Sequence, residues 1–167
     1  ESGKITDNCC FCLDIGTTTL ALALVSIDDM KIIKVINTIN PQIAFGGDVL
    51  SRIEYCSNNR VFKLQKVLID TINKMIVEFD VTAIDKMYVS GNTAMLHIFF
   101  GADPSSMGTA PYTPIFLDSK ERNGFEIGLN NIEKVISLPC ISAFVGADLV
   151  AGVNFVGLPD DSKYNLL

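Results

Sequence analysis

The stretch FCLDIGTTTLALALVS, residues 11–26, limits the fold more than any other part of the chain. Two apolar runs of strand length meet at Asp14-Ile15-Gly16-Thr17-Thr18, so the segment reads as a hairpin with a tight turn. A turn made of Gly and Thr points successive backbone N–H groups into one concavity, a shape that holds anions, and the threonine hydroxyls add donors. Asp14, at the end of the first strand, would repel a bare phosphate. It fits one if Mg²⁺ lies between them, directly or through water. An ordinary hairpin turn with a solvated aspartate accounts for the same letters, and a lone Gly-rich motif does not separate the two.

Around this hairpin the pattern is that of an α/β domain. CCFCLDIG and TLALALVSI flank the turn, and KIIKVINTI supplies a third strand. A short helix is expected over 48–56 after the Gly46-Gly47-Asp48 start signal, and a long one over about 60–79. Val61, Leu64, Leu68, Ile72, Met75 and Phe79 recur there at spacings of three and four. KMYVS then reads as a strand and AMLHIFF as a compact helix. Residues 101–137, with Pro104, Pro111 and Pro114, read as an insertion carrying a hairpin of FEIGL with KVISL. CISAFVG reads as a buried strand, ADLVAGVNFVG as a helix and KYNLL as the start of another strand. The expectation is a mixed five-stranded sheet with helices on both faces and a ligand crevice at the carboxyl ends of its parallel strands. Residues 1–8 read as a flexible tail. A strand cut short at Leu167 is expected in a piece of a longer protein.

At 167 residues the chain can bury one substantial core. It carries a net charge of −6 and no basic cluster longer than a pair, which argues against a nucleic-acid partner. No run of about 18 uncharged apolar residues is present to span a membrane. No basic and apolar signal-peptide pattern opens the sequence, so a cytoplasmic protein is expected. The cysteines (Cys9, Cys10, Cys12, Cys56 and Cys140) are five, an odd number, and read as reduced thiols rather than a disulfide framework. CCFC does not suit a metal: Cys10 and Cys12 share one strand face with Asp14 while Cys9 takes the other, and no histidine is close in sequence. His97, the one histidine, falls inside an apolar helix and reads as packed. DSKERNG, residues 118–124, reads as a solvated hairpin tip.

Two further strand ends carry small and polar residues. FVGADLVAG places Asp148 in the first turn of a helix, where the dipole favours a carboxylate and where it can face the same crevice as Asp14. A helix-terminal carboxylate with no further role explains the same position. Gly91-Asn92-Thr93 repeats the arrangement at the preceding strand end, with capping as the simpler explanation for Asn92.

LDIGTTTLALAL resembles the first phosphate loop of the actin-like ATPase superfamily, and FVGADLVAGVNFVGL is similar to the helix that ends the first half of that ribonuclease H-like fold with an acidic residue. NPQIAFGGDVLSRI, GNTAMLHIFFGADPSSMGTAPYTPIF and ISAFVGADLVAG are similar, more narrowly, to the reductive activators of corrinoid proteins. The resemblance implies that residues 9–167 form the first half of an ATPase domain in a cytoplasmic iron–sulfur protein. It implies ATP and Mg²⁺ as ligands and a [2Fe–2S] cluster on a separate domain as electron source. The substrate would be the inactive Co(II) corrinoid of a methyltransferase partner, reduced to Co(I). Carried over on matching positions, Gly16, Thr17 and Thr18 hold phosphate, Asp14 holds Mg²⁺, Asp148 is the catalytic acid that orients the attacking group, and Asn92 is a weaker phosphate contact. The second phosphate loop and a ferredoxin-type cysteine set are missing, so the chain alone is expected to hydrolyse ATP negligibly. Two other classes compete: a small-molecule kinase on the same fold, and a non-catalytic partner-binding or dimerisation module using Tyr112, Phe116 and Phe125.

Overall fold

The computed structural model describes residues 8–148 except 58, 82 and 83. The helix expected beyond Asp148, the strand at 163–167 and all but the last residue of the expected tail lie outside the described residues.

The opening hairpin forms as its alternation demands. Strand β1 (Cys9–Ile15) pairs antiparallel with β2 (Thr19–Ser26), Leu13 facing Leu22 and Ile15 facing Leu20. Phe11, Leu13 and Ile15 share one face with Leu20, Leu22 and Leu24, and all six are buried. Strand β3 (Ile32–Ile39) continues the meander on the far side of β2. A 3₁₀ turn at Pro41–Phe45 then leads into helix α1 (Val49–Cys56). Asp48 caps α1 in a capping box: its carboxylate accepts from the Ser51 amide at 2.8 Å while Ser51 Oγ accepts from the Asp48 amide at 3.2 Å.

Helix α2 (Val61–Val77) buries the stripe its spacing predicts, Val61, Leu64, Leu68, Ile72 and Met75, with Phe79 just beyond it. Phe79 packs edge-on against Phe11 at 5.0 Å, which ties the helix end to the first strand. The chain returns through β4 (Ile84–Gly91), parallel to β1, into α3 (Thr93–Phe99), every residue of which is buried. Strands β5 (Glu121–Asn123) and β6 (Ile132–Ser137) complete the sheet.

The sheet has six strands in the order β3-β2-β1-β4-β6-β5, not the expected five. The difference lies in two segments. CISAFVG is no strand: the Ile141 and Ser142 amides both donate to the Val145 carbonyl, which folds the run into a tight reversal. The strand that lies parallel to β4 is Ile132–Ser137, inside the stretch read as an insertion. Its hairpin partner is Glu121–Asn123, not FEIGL, and the supposed tip KERNG supplies that partner. The helix expected over ADLVAGVNFVG runs beyond Asp148, outside the described residues, so the described helices belong to one face. Helices α1–α3 cover the face bearing Phe11, Leu13 and Leu22, and no described helix covers the face bearing Cys12, Asp14, Ala23 and Tyr88.

Candidate functional site

Parallel pairing brings the carboxyl ends of β1 and β4 level, with Asp14 beside Ser90 and Ile15 beside Gly91. The next strand over, β6, ends level with them, Ser137 lying beside Val89. The Gly16–Thr18 turn, the Asn92 cap and the segment running to Asp148 leave the sheet along this one edge.

The turn is tight because residue 16 has no side chain: a Cβ on Gly16 would lie 2.6 Å from the Thr19 carbonyl oxygen. Its three consecutive carbonyls are all taken. Gly16 O accepts from Asn40 Nδ2 at 2.8 Å, Thr17 O from an Arg52 terminal nitrogen at 2.5 Å, and Thr18 O from the Asn40 amide at 2.8 Å. Asn40 and Arg52 are both wholly buried, whereas Thr18 is exposed. In a planar trans peptide the N–H points opposite to the C=O. The Thr17 and Thr18 amides therefore face away from the buried donors, and neither donates to another described residue.

Asp14 is exposed at the mouth of this turn and accepts a hydrogen bond from Ser90 Oγ at 3.0 Å. Asn92 uses both ends of its amide. Its Oδ1 caps α3 by accepting from the Met95 amide at 2.9 Å, and its Nδ2 reaches Thr17 Oγ1 at 3.5 Å. Gly146 lets the Asp148 segment press onto that cap, since a Cβ there would sit 2.3 Å from Asn92 Cα. Thr93 Oγ1 donates to the Ser142 carbonyl at 2.5 Å and fastens the same segment. Asp148 is exposed just beyond it. Asp14, Gly16, Thr17, Thr18 and Asn92 are thus one contiguous group, and Asp148 follows the segment seated on Asn92.

Sequence reasoning missed the layer beneath. Arg52 donates from Nε to the Gly46 carbonyl at 3.0 Å and from its second terminal nitrogen to Gln42 Oε1 at 3.3 Å and Met95 Sδ at 3.2 Å. Gln42 donates in turn to the Leu64 carbonyl at 3.2 Å. Burial pulls the Arg52 guanidinium below its ordinary value, with Asp48 acting in the other direction. One signal was available: Arg52 sits on the apolar stripe of α1 with Val49, Ile53 and Cys56, a poor place for a solvated charge.

Burial pushes Cys12 up to about 11 and Cys56 up to about 12, so both remain thiols. Among the described residues no group of three His, Cys, Asp or Glu side chains is gathered so as to hold a metal ion. None of the described helices is long and apolar enough to cross a membrane.

These features define a class, an α/β domain that gathers three parallel strand ends around an amide-lined Gly-Thr turn. Residues 9–161 match the family described as the RACo middle region, and the chain belongs to that family. It is 31% identical over 164 residues to the corrinoid activation enzyme RamQ of Eubacterium limosum, a match covering 92% of this chain and 27% of that protein. It is 25% identical over 89 residues to the Co(II) methylated amine-specific corrinoid protein reductase of Methanosarcina barkeri, covering 52% of this chain and 16% of the relative. The solved structure of a reductive activator for corrinoid, iron-sulfur protein superposes with a TM-score of 0.86 at 32% identity, over 98% of this chain and 27% of the other. The chain therefore spans about a quarter of the length of its longest-matching relatives.

Proposed function

We propose that this region forms one wall of an ATP cleft, the first half of an actin-like ATPase domain, in a protein that reductively activates a corrinoid protein. The corrinoid is the substrate: its cobalt accepts one electron and passes from Co(II) to Co(I). The electron comes from a [2Fe–2S] cluster on a separate domain, because Cys9, Cys10, Cys12, Cys56 and Cys140 do not form a ferredoxin-type set. Membership of the family and the names of its relatives support the corrinoid role.

The observation that carries the ATP reading is the turn itself. With its carbonyls held on the buried side, the Thr17 and Thr18 amides are left to meet a phosphate, and Thr17 Oγ1 lies beside them. A lone exposed carboxylate with a hydroxyl partner, Asp14 with Ser90, fits Mg²⁺, which keeps several waters and takes few protein ligands. When bound, Mg²⁺ neutralises charge on the phosphates. Asp14 would hold the ion, directly or through water, Gly16, Thr17, Thr18 and Asn92 would hold the phosphate oxygens, and Asp148 would orient or activate the attacking group.

The test is ATP binding by the protein at its natural length, with and without Mg²⁺. Asp14→Asn is expected to weaken Mg·ATP about tenfold, as loss of one charge-assisted contact predicts, while binding without Mg²⁺ holds or tightens because a carboxylate that repels bare phosphate is gone. Equal loss in both conditions removes Asp14 from the metal; no binding by the unaltered protein removes the ATP reading.

A second reading, partner docking, has its own observation. Tyr112 and Phe125 are 49% and 62% exposed, although Phe116 is stacked on His97 and does not share that surface. Capture of the corrinoid protein that survives Tyr112→Ser with Phe125→Ser excludes those residues as the docking site.

A further inference from the structure

We infer that Arg52 and Asn40 are positioning residues for the phosphate turn, and that the anion held by the turn balances the buried charge of Arg52. The inference rests on the phosphate reading above and assigns the selectivity of that site to residues that do not touch the ligand. The peptide joining Thr17 to Thr18 can lie with its carbonyl outward or its amide outward, and the difference decides whether the mouth of the turn attracts or repels an anion. Arg52 settles it by accepting no alternative: its terminal nitrogen donates to Thr17 O at 2.5 Å, while Asn40 does the same for Gly16 O at 2.8 Å.

The guanidinium cannot swing away. Nε is fixed to Gly46 O, the other terminal nitrogen is fixed to Gln42 Oε1, and Gln42 is anchored to α2 through Leu64 O. Asn40 is equally held, its Oδ1 accepting from the Gln42 amide at 3.0 Å. Each acceptor reached by Arg52 is uncharged, and Arg52 forms no ion pair with a described carboxylate; the ion pairs formed are exposed ones elsewhere. A wholly buried cation of this kind is costly unless negative charge comes near, and Asp48, exposed at the α1 cap, offsets its burial only in part. The near place left open for one is the other side of the Thr17 peptide, where the amides point out. Loop shape and local potential then favour the same ligand class, a di- or triphosphate, over a neutral hydroxyl compound.

The experiment uses the protein at its natural length. ATP affinity is measured for Arg52→Lys, Arg52→Met and Asn40→Asp, and the Thr17 and Thr18 amide resonances of each ligand-free variant are recorded by NMR. Arg52→Lys keeps the charge but cannot bridge several oxygens, and is expected to bind ATP about tenfold more weakly. Arg52→Met loses charge and donors together, for a loss of about a hundredfold. Asn40→Asp keeps the oxygen that accepts from Gln42 and removes the donor to Gly16. Both surviving amide signals should shift in every variant before ligand is added. If Arg52→Met does not fold, the lysine and aspartate variants decide by the same two readouts. Unaltered affinity with unmoved amide resonances overturns the positioning role and leaves the phosphate reading standing. Failure of the unaltered protein to bind ATP overturns the phosphate reading, and the anion balance falls with it.

Discussion

Two buried polar clusters hold irregular backbone in this molecule, and they do so with opposite chemistry. Under the Gly16–Thr18 turn, Asn40 and Arg52 donate to carbonyls. Under the 113–120 segment, the buried side chains accept from amides. His97 Nε2 accepts from the Ile115 amide at 3.0 Å, and Ser137 Oγ accepts from the Lys120 amide at 2.9 Å. Phe116 lies flat on the imidazole, ring centroids 4.1 Å apart. Both clusters meet the demand that buried backbone and side-chain polar groups be paired. The consequence differs. A donor cluster consumes oxygens and turns amides outward, leaving N–H groups free at the surface. An acceptor cluster consumes the amides and makes a strap with nothing to offer an anion. Which backbone atom a buried side chain takes therefore decides whether a loop can serve as a phosphate site.

The harshest way to break this contrast is Arg52→Met. It leaves the oxygens of Thr17, Gly46 and Gln42 without their donor, and a loss of about 3 kcal/mol in unfolding free energy is expected by urea titration. An unchanged midpoint would mean that the carbonyls find other donors and that the donor cluster has no special standing. His97→Leu comes next. It strips a partner from the Ile115 amide and from Thr93 O, which accepts from Nδ1 at 2.7 Å, for about 2 kcal/mol.

The same pair separates by pH. The pattern at His97 requires a neutral ring, with Nδ1 as donor and Nε2 as acceptor. Burial lowers its pKa from the ordinary 6.5, and Lys120 pushes the same way while the Thr93 carbonyl opposes them. A depressed value in the fold means that the contribution is complete above the unfolded pKa and is lost as pH falls through the folded one. Stability should therefore decline below about pH 6.5 in the unaltered protein and in Arg52→Met. In His97→Leu that part of the decline should vanish. A decline of equal size in His97→Leu would assign it to carboxylates instead.

How much of this was legible in the chain follows the same physics. β1, β2 and the α2 stripe were, because alternation and a three-four spacing each match one buried face. The turn residues were, because Asp-x-Gly-Thr-Thr between two strands admits few geometries. Strand β6 was legible as KVISL, but its place inside the sheet was not. It pairs with β4 on one side and β5 on the other, yet Glu133 is exposed and Lys134 half-exposed, so IEKVIS looked like a surface hairpin. CISAFVG erred the other way, its apolar run being a reversal whose amides close on Val145. Arg52 was hidden by convention: a charged letter in a short amphipathic helix is read as solvent-facing, and only its place on the apolar stripe said otherwise.

Asn92 offers the smallest and finest test, because it belongs to both kinds of chemistry at once. Its oxygen accepts from the Met95 amide, as in the acceptor cluster, while its nitrogen donates toward Thr17 Oγ1, as in the donor cluster. Asn92→Ala removes both and should cost about 1 kcal/mol, the ordinary value of a helix cap. Asn92→Asp keeps the cap and gains from the helix dipole, so its stability should stay within about 0.5 kcal/mol of the parent. It nevertheless puts a second carboxylate beside the turn and removes the donor, so ATP affinity should fall several-fold without Mg²⁺ and recover in part with it. If the aspartate variant unfolds as readily as the alanine one, the contact at 3.5 Å holds the two strand ends together and Asn92 sides with the donors. If it is stable and binds ATP normally, Asn92 is a cap alone and the amide-lined surface ends at Thr18.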